Sequence, residues 1–242
     1  MENEAVVEEK EIIKSYPIAE MFESVQGEGH HVGTPFAFIR MAGCTVGKPD
    51  AARIGALGLP PYHEVCTTFE GREFICDTNF RMHHALPIAD ILEWVSSLNI
   101  EHVCFTGGEP LMHDIKPLVD AFRRLTYRVH IETSGTIAPG WLLSKGYESV
   151  WVAVSPKKGY LANMIYRANE VKILVGEDFD QKKISAPILT KNDVFLQPID
   201  DVLIYGKNDG QNKLNVDKCL EILKTHPRWR LSIQMHKVIG VR

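Results

Sequence analysis

Val103-Cys104-Phe105-Thr106-Gly107-Gly108-Glu109-Pro110 decides the fold. A short apolar run ends in two glycines, a carboxylate and a proline, and apolar residues then recur at helical spacing over 115–125. Strand, polar turn and helix in that order are the repeat of a parallel sheet with crossover helices. Outward from this unit, strand-like runs occupy Pro35–Met41, 128–132, 150–154, Glu170–Val175, 194–196 and 231–234. Helical periodicity returns at 88–98 and 216–224. Six or seven units fall short of the eight that close a barrel. The expectation is an α/β fold, a partial, open parallel β/α barrel of about six strands.

Ligands of such folds gather beyond the carboxyl ends of the strands. Every polar motif of the chain falls there. Gly43-Cys44 follows the first barrel strand, Thr106-Gly107-Gly108-Glu109 the second, Glu132-Thr133-Ser134-Gly135 the third and Ser155-Pro156-Lys157 the fourth, with Gln197-Pro198 after a later one. The stretch 45–75, rich in Gly, Pro and Ala and without helical period, reads as a long loop inserted between two cysteines. Residues 16–242 form one domain behind a flexible lead-in, 1–15.

A formal net charge of -4 argues against a nucleic-acid binder, which carries a basic stripe. No apolar run reaches the ~18 residues that suggest a membrane span. The acidic start lacks the basic and apolar regions of a secretory leader, so a cytoplasmic protein is expected. Five cysteines, an odd number, fit a reduced compartment better than a disulfide framework.

Cys104 lies in an apolar run and reads as a buried inert thiol; Cys219 sits on helical periodicity and reads as core or groove. That leaves Cys44, Cys66 and Cys76. Their separations alone leave core thiols open, as well as a zinc site completed by His63 or by His83 and His84, although paired short spacings are missing. Residues 67–75 read as a hairpin turning at Glu70-Gly71. That fold would set Cys66 opposite Ile75 or Cys76, with paired Cα atoms about 5 Å apart. Three thiolates can hold three irons of a cubane and leave the fourth open, as catalytic metal sites require. His30, His31, His83 and His84 read as loop residues without a role.

The chain resembles the radical S-adenosylmethionine superfamily and, within it, the 7-carboxy-7-deazaguanine synthase family. The resemblance is carried, in family order, by Ser24-Val25-Gln26-Gly27-Glu28-Gly29, Phe38-Ile39-Arg40, Gly43-Cys44 and Cys76-Asp77-Thr78. It continues through Thr106-Gly107-Gly108-Glu109-Pro110, Glu132-Thr133-Ser134-Gly135-Thr136, Ser155-Pro156-Lys157, Gln197-Pro198 and Gln234-Met235-His236-Lys237. The Gly-Gly-Glu-Pro turn marks only the superfamily; the opening Gln-Gly-Glu-Gly with Arg40 and the closing His-Lys are more specific. The chain departs from the superfamily's CxxxCxxC spacing.

The resemblance implies a [4Fe–4S] cluster on Cys44, Cys66 and Cys76, with S-adenosylmethionine chelating the open iron. Reductive cleavage then releases a 5′-deoxyadenosyl radical, so no side chain is assigned as catalytic. The cofactor would be met by Gly107 and Gly108 as bare backbone, Glu109 at its ammonium, Ile75 at its adenine and Glu132 at its ribose. Ser155 and Lys157 would anchor its ribose and carboxylate region, joined by Asp77, Pro156 and Gln197. The implied substrate is 6-carboxy-5,6,7,8-tetrahydropterin, converted to 7-carboxy-7-deazaguanine with loss of ammonia. Arg40 suits its carboxylate; Val25, Gln26, Gly27, Glu28, Thr106, His236 and Arg242 would complete its site, and Thr78 would take a Mg²⁺ ion. A flavodoxin or ferredoxin as electron donor and a homodimer belong to the same expectation. Two rivals stand beside it: an activase for a glycyl-radical enzyme, which shares the cluster, and a zinc-stabilised binding module using the same cysteines.

Overall fold

Strands buried on both faces carry near-continuous apolar runs, and any polar residue on them needs a partner. The chain places such polar residues chiefly on one face, toward the carboxyl ends of the strands. In the computed structural model, which describes residues 14–81, 84–200 and 212–241, eleven strands are present among the described residues. They are β1 (Ser15–Val25), β2 (Pro35–Met41), β3 (Glu64–Thr67), β4 (Glu73–Cys76), β5 (His84–Pro87), β6 (His102–Gly107), β7 (Arg128–Thr133), β8 (Trp151–Val154), β9 (Glu170–Val175), β10 (Val194–Pro198) and β11 (Arg230–Leu231). The helices are α1 (Ala51–Ala56), α2 (Ile88–Ser96), α3 (Lys116–Arg124), α4 (Gly140–Leu143), α5 (Ala162–Arg167), α6 (Ala186–Leu189), α7 (Lys213–Thr225) and α8 (Met235–Ile239).

Nine strands make one sheet in the order β11-β10-β9-β8-β7-β6-β2-β1-β5. From β2 to β11 every pairing is parallel, while β1 runs antiparallel to both β2 and β5. The sheet does not close, as the unit count requires. Ile39, Phe105, Ile131, Val152, Ile173 and Leu196 point outward, into one core with Ile91, Leu118, Phe122, Ile165 and Ile222 of the helices. The alternate residues face the concave side: Phe38 and Arg40 of β2 beside Cys104 and Thr106 of β6, then Glu132 of β7, Lys172 of β9 and Gln197 of β10.

The amino end of this concave face is plugged. A 3-10 turn at Gly29–His31 drives His31 among Trp151, His130 and His102, with ring centroids 4.6, 4.8 and 5.7 Å away. Burial pushes the His31 pKa down to about 4 and His130 to about 2, so the imidazoles pack as neutral rings. His31 is thus a packing element, and His84 lies in β5; the loop assignment of both is corrected. His83 lies outside the described residues.

Other expectations also change. Residues 1–13 of the expected lead-in lie outside the described residues, while Ser15 already pairs with Pro87 in the sheet. Strand β1 was not anticipated because a bulge between Ile18 and Glu20 breaks its alternation. The parallel run has seven strands, within the six or seven units expected, but the last lies at Arg230–Leu231 rather than over 231–234. The inserted stretch 45–75 is not an irregular loop. It holds α1, capped by Asp50 accepting from the Arg53 amide at 3.0 Å, and the β3–β4 hairpin, around a small core of Ile54, Val65 and Ile75.

Candidate active site

A cavity of about 560 Å³ opens at the carboxyl ends of the parallel strands, inside the range typical of small-molecule sites. Cys44, Cys66 and Cys76 line one wall of it. Cys44 sits on the turn after β2, where its Sγ accepts the amides of Val46 and Gly47 at 3.4 and 3.5 Å. In the hairpin, Cys66 pairs with Phe74 and Glu64 with Cys76. Because side chains alternate, Cys66 and Cys76 share one face as diagonal neighbours. This corrects the expected pairing of Cys66 with Ile75 or Cys76. Gly71, at φ 105°, admits an extra residue into the turn and shifts the register by one.

Burial pushes the Cys66 thiol up, and burial followed by the Asp77 carboxylate pushes Cys76 to about 12. Metal-free, Cys66 and Cys76 are therefore protonated thiols, and loading metal displaces their protons. Three thiols on one wall, with amide donors on Cys44 and open cavity in front, supply the donor set of a three-cysteine cluster, although no three His, Cys, Asp or Glu side chains among the described residues are grouped closely enough to hold a metal ion as they stand.

The Gly-Gly turn is dictated by packing as well as by the cavity. A Cβ on Gly107 would run into the Met41 carbonyl oxygen, and one on Gly108 into that of Gly43. Both glycines line the cavity, but Glu109 does not. Its carboxylate is fully buried and accepts from the Leu111 amide at 3.1 Å, the Thr133 hydroxyl at 2.7 Å, the Ser134 amide at 2.9 Å and the Ser134 hydroxyl. Glu109 thus builds the 133–134 turn, and the sequence reading that aimed it at a ligand is corrected. Pro156 also lies off the cavity wall, which Ser155 and Lys157 do line. The Lys157 Nζ donates to Ser155 Oγ at 2.7 Å and stands 5.6 Å from the Phe74 ring centroid; burial lowers its pKa.

The floor is ionic. Lys172 Nζ lies 2.8 Å from Glu28 and 3.1 Å from Glu132, with its side chain 6% exposed. Glu28 also accepts from Gln197 at 3.0 Å and Gln234 at 2.9 Å; Glu132 accepts from Gln26 at 3.2 Å and Thr106 at 2.9 Å. Burial alone would raise the Glu28 pKa, but the Lys172 ammonium and its hydrogen bonds take it down to about 2. The sequence reading missed Lys172, although a lysine inside Glu-Val-Lys-Ile-Leu-Val signals a buried charge seeking partners. Gln197 lines the cavity, and its Oε1 is buried with no hydrogen-bond partner among the described residues.

At the rim, Arg40 lies 3.4 Å from Glu20 and over the Phe22 ring at 5.4 Å. Val25, Gln26, Gly27, Ile75, Asp77 and Thr78 line the cavity too. Gly27 makes room for the His236 ring, and its carbonyl accepts the Met235 amide at 2.9 Å. Lys237, also missed as a site residue, bridges Asp77 and Asp200. Arg242 lies outside the described residues.

An open parallel barrel with three thiols and a Gly-Gly turn at its carboxyl rim defines the class of radical S-adenosylmethionine enzymes. Within that class the chain belongs to the 7-carboxy-7-deazaguanine synthase family. It is 31% identical to the 7-carboxy-7-deazaguanine synthase of Synechocystis, over 94% of each chain. Identity to the Escherichia coli K12 enzyme is 31% over 93% of this chain and 99% of that one. For the Bradyrhizobium diazoefficiens enzyme it is 32%, over 94% and 100%. The crystal structure of QueE from Escherichia coli superposes with a TM-score of 0.63 at 28% identity, covering 92% of this chain and 95% of that one. No protein-family model matches the chain. No helix among the described residues is long and apolar enough to cross a membrane.

Proposed function

We propose that the chain converts 6-carboxy-5,6,7,8-tetrahydropterin to 7-carboxy-7-deazaguanine with loss of ammonia, as a radical S-adenosylmethionine lyase of 7-deazapurine (queuosine-type) biosynthesis. One observation carries the reading: the three-thiol wall and the Glu28–Lys172–Glu132 floor face one cavity. A zinc-stabilised module would give that floor no work.

Cys44, Cys66 and Cys76 would hold a [4Fe–4S] cluster, which would supply one-electron reductive cleavage of S-adenosylmethionine. The chain's own residues bind, orient and shield. Gly107 and Gly108 leave bare backbone beside the methionine moiety, and Ser155 and Lys157 offer a hydroxyl and an ammonium to its carboxylate. Ile75 gives the adenine apolar surface, and Gln197 Oε1 accepts a cofactor N–H or O–H. Arg40 grips the substrate carboxylate through two parallel hydrogen bonds. Glu28, kept ionised by Lys172 and held by Gln197 and Gln234, and Glu132, held by Lys172, Gln26 and Thr106, accept from the N–H groups of the pterin edge. His236 closes over Gly27. Thr78 would offer Mg²⁺ a hard oxygen ligand, and the ion would neutralise charge that builds on the substrate. A flavodoxin or ferredoxin delivers the electron, and the enzyme works as a cytoplasmic homodimer.

The test is an anaerobic turnover assay with reconstituted protein, dithionite, Mg²⁺, S-adenosylmethionine and the pterin, read by product mass. Carboxydeazaguanine without net loss of S-adenosylmethionine is the expected result. Formation of 5′-deoxyadenosine with intact pterin would overturn the substrate assignment and leave the cofactor assignment standing.

A further inference from the structure

Cys66 and Cys76 stand on a two-stranded ribbon that is not part of the main sheet. Two strands alone are marginal in water, so something else must fix where these thiols sit relative to Cys44. At its base the ribbon has the small core of Ile54, Val65 and Ile75, and paired amide bonds between Lys48 and Val65 at 2.9 Å. Its edge meets the loop after β8, where the Lys158 amide donates to the Thr67 carbonyl at 3.1 Å.

The turn of the ribbon is docked on the barrel. Phe69 lies edge-on to Tyr160 and Phe179, at centroid distances of 6.0 and 6.1 Å. The Arg72 guanidinium pairs with Asp178 and lies against Gly176, where any Cβ would collide with it. Glu70 accepts the Asp180 amide at 3.2 Å, and its carbonyl accepts from Lys183 Nζ at 3.1 Å. An exposed turn has no need of an aromatic anchor, an ion pair and two charge-assisted hydrogen bonds. The docked turn is a clamp, gripping the loops after β8 and β9.

We propose that Phe69 and Arg72 are positioning residues for the iron–sulfur centre. Their docking on Tyr160, Phe179, Gly176 and Asp178 holds Cys66 and Cys76 at a fixed distance from Cys44. The inference rests on the cluster assignment made above. Neither residue lines the cavity, so each acts through the ribbon alone. Freed at its turn, the ribbon pivots on its base core and two of the three thiols drift from the third. Remote shell residues of metal sites affect affinity by about 10- to 100-fold, and this is the scale expected here.

The experiment uses the full chain, reconstituted anaerobically, and follows iron release to a ferrous chelator together with the reduced-state EPR spectrum. Phe69→Ala and Arg72→Met should release iron about tenfold faster or more than the wild type. Phe69→Leu should stay near wild type. Glu73→Gln, which breaks the exposed Arg53–Glu73 pair on the same ribbon away from its docked turn, should change nothing. Asp178→Asn leaves the ribbon sequence intact and should still accelerate release; it decides the matter if circular dichroism shows that Phe69→Ala has unfolded. Wild-type release rates and spectra in folded Phe69→Ala, Arg72→Met and Asp178→Asn would overturn the proposal. A wild-type protein that takes up no iron–sulfur cluster would instead overturn the cluster assignment beneath it.

Discussion

The two sides of the cavity are built on opposite principles. The floor is finished before any ligand arrives: Lys172, Glu132 and Thr106, on strands fixed by sheet register, meet Gln26, Glu28 and Gln234 of the adjoining loops at hydrogen-bond distance. The thiol wall stands on inserted structure, and two of its three thiols are held protonated by burial. Preorganised charge costs nothing further when substrate binds. A wall of buried thiols, in contrast, gains its strongest bonds only with metal, so metal binding stabilises the loaded state. The site joins a rigid electrostatic half to a metal-dependent half.

The largest expected effect breaks the wall alone. Cys76→Ala should abolish cluster assembly while leaving the metal-free unfolding midpoint close to wild type, since only a side chain at the cavity edge is lost. Iron and sulfide analysis after reconstitution checks it; full iron retention would remove Cys76 from the ligand set.

Lys172→Met breaks the floor instead. Removing one partner of a buried pair costs about 3–5 kcal/mol, so the urea midpoint at neutral pH should fall well below wild type. The pH dependence should change sign as well. In the wild type the depressed Glu28 pKa contributes stability above its ordinary value of 4.5, lost as pH falls toward about 2. Without the ammonium, burial alone acts on Glu28 and raises its pKa. The variant should then gain stability relative to wild type as the medium is acidified. Denaturation midpoints from pH 7 to pH 3 measure this, and parallel curves for the two proteins would show that Lys172 does not hold the floor ionised.

The two halves were unequally legible in the sequence. Strand–turn–helix alternation needs only local periodicity, so the order β2, β6, β7, β8, β9, β10 and the rim motifs could be read directly. The Glu28–Lys172 contact joins residues 144 positions apart, and no local pattern encodes it. The hairpin itself was readable from its turn residues. Its register was not, because Gly71's positive φ lengthens the turn by one residue. Glu109 misled for a different reason: a carboxylate beside a Gly-Gly turn looks aimed at a ligand until Thr133 and Ser134, brought in from the next strand, consume its oxygens.

Glu109 therefore offers an intermediate perturbation between wall and floor. Glu109→Gln replaces an acceptor oxygen with an amide donor that must face groups already donating, leaving a buried donor unpaired. The expected cost is about 1–3 kcal/mol in unfolding free energy, with weaker S-adenosylmethionine binding because the 133–134 turn shifts. Denaturant titration and equilibrium dialysis check both; unchanged cofactor affinity alongside lost stability would confine Glu109 to folding.

Arg40→Met is the finest probe, because Arg40 lies at the rim of the rigid half, with an ion-pair contact to Glu20 at 3.4 Å and a ring beneath it. Partly exposed pairs of this kind contribute at most about 1 kcal/mol, and methionine keeps much of the apolar contact with Phe22. Stability should hardly move. If the guanidinium grips the substrate carboxylate, losing those charged hydrogen bonds costs about 1.5–3 kcal/mol of binding, a ten- to hundredfold weaker pterin affinity. S-adenosylmethionine cleavage should persist, because Arg40 is not among the residues assigned to that cofactor. Pterin affinity measured anaerobically beside 5′-deoxyadenosine formation separates the outcomes. Equal loss of both would mean that the wall and the floor are coupled through Arg40, and unchanged pterin affinity would make it a structural partner of Glu20.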